Sequence, residues 1–371
     1  MRIVCNTEAL TEACLNVQRC IPSKAVLPHL ECILIKTVSE SKIEMSGYDL
    51  ELGINTVLGV KVERGGSVVL NAKTLCDILR HFPSDTVVID CDSKNVCTVK
   101  NGDTEYTLIS LNPDEYPDLP EITESVPFNI SQTVLRDMVR QTIFAVSTDD
   151  TKAAHRGIKF EITPGQIKLI ALDGFRLAIR TEFADYNGSG MSFVVPAKTM
   201  NEVIKLIGDD DSFVKLSIGR RHIIFNVGNY EIISRLLEGE FLDYHTALPA
   251  ATTTVIRVDT KELIDVIERT SIVITEKTRS PIRFSVGGST VKISAVTALG
   301  SAYDRIEASI SGKSVEIGFN NRFFLDALRS CDTDEVLINL NGSVSPAVIM
   351  PPEGSDFLYL VLPVRIKSEN S

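Results

Sequence analysis

The sequence predicts an α+β protein made of three tandem copies of one domain, each copy containing two strand–helix–strands units. Three observations carry this: a strand-then-helix grammar that returns twice, a pair of alternating strands repeated at a fixed interval, and a strand running directly into a helix at nearly the same interval. A period this long means that the domain itself is triplicated.

Residues 3–20 open the first copy with a short strand, Asn6 as N-cap, and a helix bearing Leu10, Ala13, Cys14 and Val17 on one face. The same order returns at 128–146, where Leu135, Met138, Val139, Ile143 and Val146 are apolar. It returns again at 255–274, where Asp259 and Glu262 form a capping-box pattern ahead of Leu263, Ile264 and Ile267.

The second segment of each copy, at 32–52, 158–179 and 282–303, is two alternating strands joined by a turn. Ile43, Ile167 and Val291 correspond at intervals of 124 residues. In the middle copy Ile167, Leu169 and Ala171 alternate with Gln166, Lys168 and Ile170, and Asp173-Gly174 favours a tight two-residue hairpin turn there. The third segment, at 68–82, 193–207 and 315–329, is a strand followed by a helix. Within the first copy Asn6 and Leu10 recur 65 residues later as Asn71 and Leu75, which divides each copy into two units. Pro-bearing links at 118–127 and 248–254 set the domain bounds at 1–124, 125–252 and 253–371.

The 371 residues, 44% hydrophobic, describe a folded chain with more than one core. No apolar run approaches the roughly 20 residues of a membrane span, and the first residues lack signal-peptide blocks, so the expected location is cytoplasmic. The eight cysteines form no C-x-x-C pair and sit mostly in apolar patterns, as buried thiols in a reducing compartment would. The net charge of −11 divides as −8 over residues 1–125, −1 over 126–252 and −2 over 253–371. That acidity argues against a surface that is basic all over, and it leaves room for a local basic face.

Such a face is legible in the second helices. Lys73, Asp77 and Arg80 recur as Lys198, Glu202 and Lys205 and as Arg322, Asp326 and Arg329; the basic residues are seven apart, nearly two helical turns. Arg136, Arg140, Lys261 and Arg269 on the first helices, with Lys24 and Lys152 in loops beyond, extend the pattern. Solvated helix faces with internal ion pairs and a phosphate-facing surface that ignores base sequence both fit it.

Catalytic and metal signatures are weak. Gly312-Lys313-Ser314 resembles the end of a phosphate loop, but Glu307 stands where its first glycine belongs. The five histidines lack ligand spacing, no Gly-x-Ser-x-Gly elbow occurs, and Asp209-Asp210-Asp211 reads as an exposed turn. No cofactor and no metal are expected. Two apolar stretches stand out: 357–366, whose Pro363 suits a strand end or sheet edge, and the linker residues Phe241, Leu242 and Tyr244. Core packing is the plain reading of both, and an exposed groove for a partner's short peptide is the other.

These residues resemble those of the bacterial sliding clamps, the beta subunits of DNA polymerase III. The resemblance spans nearly the whole chain and is most specific at Asp173-Gly174-Phe175-Arg176-Leu177-Ala178, at the linker from Glu238 to Tyr244, at Tyr48-Asp49-Leu50-Glu51, at Gly318-Phe319-Asn320 and at Leu362-Pro363-Val364-Arg365. It implies three clamp domains per subunit, two subunits head to tail in a homodimeric ring, antiparallel sheets outside, and helices lining a hole that holds double-stranded DNA. The ring would confer processivity on the replicative DNA polymerase without catalysis. A clamp-loader complex and other clamp-binding-motif proteins would be its further partners, with no membrane among them.

By the same resemblance the partner-peptide groove consists of His155, Leu172, Gly174, Phe175, Arg176, Leu177, Leu242, Thr246, Ala247, Val344, Pro346, Leu360, Leu362, Pro363 and Val364, with Arg176 at its rim. Leu172 replaces a common Thr, Leu362 a common Met, and a tail, 367–371, follows the usual end. The DNA-facing set is Lys24, Lys73, Arg80, Arg136, Arg140, Lys152, Lys198, Lys205, Arg322 and Arg329; Thr148-Asp149-Asp150 is left out as acidic. The dimer contact pairs Tyr106 and Leu108 with Ile272 and Val273 of the other copy. A repetitive β-rich protein that binds carbohydrate or protein, with no DNA role, is the rival reading, and an enzyme lacks any convergent set of acid, base and nucleophile.

Overall fold

The computed structural model describes residues 1–208, 210, 212–275 and 280–366; Asp209, Asp211 and the tail at 367–371 lie outside them. Six α-helices are described: α1 (Thr7–Val17), α2 (Ala72–Arg80), α3 (Gln132–Arg140), α4 (Ala197–Leu206), α5 (Thr260–Ser271) and α6 (Asn321–Arg329). Short polar side chains open four of them, at Asn6, Asn71 and Asp259 as expected and also at Asn320. Asn6 accepts from the Ala9 N–H at 2.9 Å, Asn71 from Thr74 at 3.0 Å, Asp259 from Glu262 at 2.7 Å and Asn320 from Arg322 at 3.0 Å. Each satisfies a donor that the first turn leaves without an intrahelical partner.

The helical pattern read through Val146 stops at Arg140, and Ile143–Ala145 forms a separate 3₁₀ turn. Thr142 causes the break: its N–H reaches Val139 O at 3.1 Å and its hydroxyl donates to Met138 O at 2.8 Å, which tightens the last turn.

Among the described residues all strand pairs are antiparallel, and the chain forms two compact units. The first holds Met1–Leu135 and Lys198–Leu236. Its eight-stranded sheet runs in the order Val126–Ser131, Phe213–Ile218, His222–Val227, Tyr230–Arg235, Leu52–Gly59, Lys42–Tyr48, Cys32–Ser39, Ser67–Asn71. Its five-stranded sheet runs Lys61–Arg64, Arg2–Asn6, Thr86–Cys91, Val96–Asn101, Thr104–Ile109.

The second unit holds Arg136–Ala197 and the chain from Leu237 on. Its nine-stranded sheet runs Met191–Pro196, Gly157–Thr163, Gly165–Leu172, Arg176–Ala184, Phe357–Val361, Ala347–Met350, Glu335–Leu340, Thr254–Asp259, Ser309–Gly312. Its five-stranded sheet runs Gly300–Glu307, Thr290–Thr297, Ile282–Gly287, Val315–Phe319, Pro363–Val364. Pro363 therefore sits on a sheet edge, where its missing N–H costs nothing.

The units differ from the sequence repeats because strands of consecutive copies pair. Ile54 faces Ile232 in the first unit, and Ala178 faces Tyr359 in the second. In the third copy α5 and α6 bury Leu263, Val266, Ile267, Phe324, Leu325 and Leu328 against Phe284, Ile293, Ile338 and Tyr359. Phe284, Phe319 and Phe324 pack with centroids 4.9–5.5 Å apart, a spacing at which aromatic edges and faces attract. All eight cysteines are free, seven of them buried and Cys331 half-buried. Among the described residues no helix is long and apolar enough to cross a membrane.

Candidate functional site

The site starts at a turn. Asp173 follows the strand Gly165–Leu172 and Arg176 begins Arg176–Ala184, so the two central residues are Gly174 and Phe175. Asp173, read from sequence as part of the turn's centre, instead closes it from the first position. Its Oδ1 accepts the Phe175 and Arg176 N–H groups at 2.9 and 3.0 Å. An Asp side chain that caps the backbone two residues on makes this geometry without help from neighbours. Gly174 has φ 91°, a left-handed value that costs other residues strain, and the turn presents the Phe175 ring 60% exposed.

Arg176 does not stand at a rim. Its Nη1 donates to Asp326 Oδ2 of α6 at 2.5 Å and its Nε to Asp173 Oδ2 at 3.1 Å, while the guanidinium lies 4.4 Å from the Phe323 ring and 5.5 Å from Phe144. Two carboxylates and two aromatic faces satisfy a planar cation more fully than a solvent-facing position would. Arg176 thus fastens the turn to α6, and Phe323 and Asp326 join the site. Neither was singled out from sequence as a groove residue, because the 3.6-residue period marks which face of α6 is polar without saying what it meets.

Buried Leu172, Leu177 and Leu360 form the floor with Ile170, Ile179, Val348 and Tyr244, and Phe241, Ala247, Leu248 and Leu358 pack against it. The register sets Leu177 opposite Leu360, and the Leu362 N–H donates to Phe175 O at 2.9 Å. Burial of Ile170 and Leu172 alongside Ile167, Leu169 and Ala171 ends the sequence alternation: the linker covers the second face of this strand. Tyr244 anchors that linker by donating to Glu161 Oε2 at 3.0 Å, and burial, then the Glu161 charge, pushes its pKa up.

His155 is buried with its ring 5.4 Å from Phe241, and its Nε2 accepts the Leu242 N–H at 3.4 Å. Burial, then Lys152, holds its pKa below the ordinary value, consistent with a neutral acceptor. Around this floor Phe175, Leu242, Leu362, Val364 and Thr246 are exposed, and Pro363 is half-exposed. Val344 and Pro346 lie on the loop between Glu335–Leu340 and Ala347–Met350, and no described contact ties them to Leu242 or Leu362.

Of the proposed basic set, Arg136 is half-buried and the other nine are exposed. Several already hold carboxylates: Lys198 pairs with Asp49, Lys205 with Glu202 at 2.7 Å, Arg80 with Asp77 at 3.6 Å, and Arg329 with Glu268 at 2.7 Å. The internal-pair reading of these helix faces is thus partly right. Lys198 differs most from expectation, since its ammonium ties α4 to the first-copy turn.

Gly312 has φ 114°, and a Cβ there would lie 2.1 Å from Thr253 O, so close backbone approach explains this glycine. Among the described residues no His, Cys, Asp and Glu cluster could hold a metal. Asp210 Oδ1 accepts from the Ser212 hydroxyl at 2.5 Å.

Three family models match in order: the N-terminal domain of the DNA polymerase III beta subunit over residues 1–120, its central domain over 129–243 and its C-terminal domain over 245–365. A putative DNA polymerase III beta subunit from Eubacterium rectale is 30% identical, superposes with a TM-score of 0.95, and shares 98% of this chain and 99% of its own. The chain belongs to the DNA polymerase III beta subunit family. The sliding clamp of Bacillus subtilis, 28% identical, covers 99% of this chain and 100% of its own with a TM-score of 0.96. The beta sliding clamp of Halalkalibacterium halodurans is 29% identical over 379 residues, 98% of this chain and 100% of the relative.

In this beta-subunit chain two sheet edges carry the positions expected to meet the other subunit. Thr104–Ile109 is the outer strand of the first unit's five-stranded sheet and carries Tyr106, 40% exposed, with half-buried Leu108. Gly300–Glu307 is the outer strand of the second unit's five-stranded sheet. Ile272, just past α5, is 79% exposed, and next to it the Thr297 hydroxyl donates to Val273 O at 3.1 Å. Ile109, Val296, Leu299 and Tyr303 are exposed as well on these strands or next to them, which the alternating sequence pattern did not single out.

Proposed function

We propose that the chain works as a DNA sliding clamp: a homodimeric ring, closed head to tail around duplex DNA, that tethers the replicative polymerase and other DNA-processing proteins without catalysis. One observation carries the ring. The hairpin strand Leu52–Gly59 of the first copy pairs with Tyr230–Arg235, and its equivalent Arg176–Ala184 in the second pairs with Phe357–Val361. The third equivalent, Gly300–Glu307, has no such neighbour among the described residues, and neither has Thr104–Ile109, the first-copy counterpart of Tyr230–Arg235.

A second subunit satisfies both bare edges at once, by the same antiparallel joint, and a monomeric binding protein would leave them open to aggregation. Carrying over the register of the first joint, where Ile54 faces Ile232 and Leu52 faces Ser234, sets Tyr106 against the partner subunit's Ala302 and Leu108 against the partner subunit's Gly300. The domains are bounded at 1–124, 125–252 and 253–371, and the protein works in the cytoplasm.

The apolar floor under Phe175, Leu242 and Leu362 takes the short peptides of partners, with Arg176 and Asp326 holding its wall. Lys24, Lys73, Arg80, Arg136, Arg140, Lys152, Lys198, Lys205, Arg322 and Arg329 supply the phosphate-facing charge, which binds without reading sequence and lets the ring slide. After loading by the clamp loader, the protein is expected to stay on circular DNA and to run off once that DNA is linearised. Equal loss from both forms refutes the ring. Sizing checks the dimer, and Tyr106→Ala with Ile272→Ala should shift it toward monomer.

A further inference from the structure

Seven of the eight cysteines fall within residues 1–124, and two of them face one another directly. Cys91 and Cys97 are register partners on the strands Thr86–Cys91 and Val96–Asn101, the last rung before the hairpin turn. The backbone of Cys91 points the other way: its N–H donates to Met1 O at 2.8 Å, and its carbonyl accepts from Arg64 Nη2 at 3.0 Å. The next bond of the ladder, Asp92 N–H to Val96 O at 3.0 Å, lies beyond the pair.

Cys91 and Cys97 are therefore a non-hydrogen-bonded pair, the closer of the two kinds, with Cα atoms about 4.5 Å apart. That spacing falls within the window of roughly 4.4–6.8 Å that a disulfide needs. As register partners the two side chains lie on one face of the hairpin, and Cys91, 3% exposed against 0% for Cys97, is the nearer to solvent and the first to react.

We propose that Cys91 and Cys97 form an oxidisable dithiol, a modification site that staples this hairpin when the chain meets a low-molecular-weight disulfide. In the first step the Cys91 thiolate attacks one sulfur of the reagent, forms a mixed disulfide and releases one small thiolate. The Cys97 thiolate then attacks Cys91 Sγ and expels the second. Two protein thiols are oxidised and one small disulfide is reduced to two thiols, so protons and electrons balance.

Place in the fold is what separates this pair from Cys14 and Cys76: all four thiols are buried, but Cys14 and Cys76 lie on α1 and α2, whereas Cys91 and Cys97 stand at the end of a hairpin. The turn at 92–95 that follows the pair has Asp92, Ser93 and Lys94 exposed. Opening one rung of a hairpin end takes less free energy than opening a helix pair. Burial still raises both pKa values, Cys97 to about 12, so the resting state is the dithiol and the reaction is slow.

The test is incubation of the full-length protein with oxidised glutathione, alkylation under denaturing conditions, and peptide mapping. One disulfide per chain is expected, joining Cys91 to Cys97. Full alkylation of all cysteines, or a bridge at Cys14–Cys76, overturns the proposal. Cys97→Val should stop at a mixed disulfide on Cys91; the mapping of the unmodified sequence decides even if that variant folds poorly. In the oxidised chain the amides of Asp92–Val96 should exchange at least about tenfold more slowly, and an unchanged rate overturns the stapling.

Discussion

The first and second copies of the repeat end their hairpins in nearly the same turn, yet one joint is filled and the other is left open. In the first, Asp49 Oδ1 accepts the Glu51 and Leu52 N–H groups at 2.9 and 2.6 Å, as Asp173 does for Phe175 and Arg176. Leu50 holds the left-handed position, φ 75°, that Gly174 holds in the second. The difference lies one strand residue further on. Gly53 stands where the second copy has Leu177, and Leu119 sits so close that a Cβ on Gly53 would be 2.5 Å from it.

Tyr116 seals this first joint by donating to Cys32 O at 3.2 Å and Ser46 O at 3.3 Å, within a closed cluster of Cys32, Tyr48, Val69 and Tyr116. The second joint keeps the tyrosine, as Tyr244, but reaches it through eight residues after Arg235, against six between Ile109 and Tyr116. The longer linker carries Phe241, which packs against the cluster of Leu177 and Leu360, and Leu242, which is exposed. A scaffold that can hide its joint hides one and leaves apolar side chains at the surface of the other, where the proposed partner groove lies.

Substitutions that exchange these features sharpen or break the comparison. The largest effect is expected from Leu177→Ala, which removes a buried floor side chain. Stability should fall by about 2–5 kcal/mol in denaturant titrations, and partner-peptide affinity should fall with it. Unchanged peptide affinity would detach Leu177 from the groove. Gly53→Leu imports the second copy's residue into the filled joint and should cost about 1–3 kcal/mol by overpacking against Leu119, without touching peptide binding. At the turns, Gly174→Ala should destabilise by about 1 kcal/mol and Leu50→Gly should stabilise by a few tenths, because only glycine is at ease at positive φ.

The smallest effect concerns acidity. Folding lowers the pKa of His155, so the unfolded chain binds more protons than the folded one as pH drops through about 6.5, and stability is lost on the acid side of that value. Protonation also removes the acceptor for the Leu242 N–H. Peptide affinity should decline as pH falls below about 6.5, and His155→Gln should flatten that decline. A slope unaffected by the substitution would place the titrating group elsewhere, with His222, whose pKa burial also lowers, as the first alternative.

What could be read beforehand was whatever local chemistry repeats. Asn6, Asn71 and Asp259 cap helices because a short polar side chain satisfies the first turn wherever it sits, and the interval from Ile43 to Ile167 to Val291 marks equivalent strands without any knowledge of packing. The triplicate α+β architecture, the basic helix faces and the resemblance that points to the Asp173 turn follow from that. Arg176 shows where it ends. Its place at the turn was evident, but its direction depended on Asp326 and Phe323, some 150 residues away in sequence.

Tertiary structure alone decided that strands of neighbouring copies join into shared sheets, that Lys198 reaches Asp49, and that Gly53 and Leu177 give equivalent joints opposite fates. The physical reason is common to all three. Periodicity reports which face of an element is apolar, whereas the partner that covers that face, or leaves it open, is set by contacts between residues far apart in the chain.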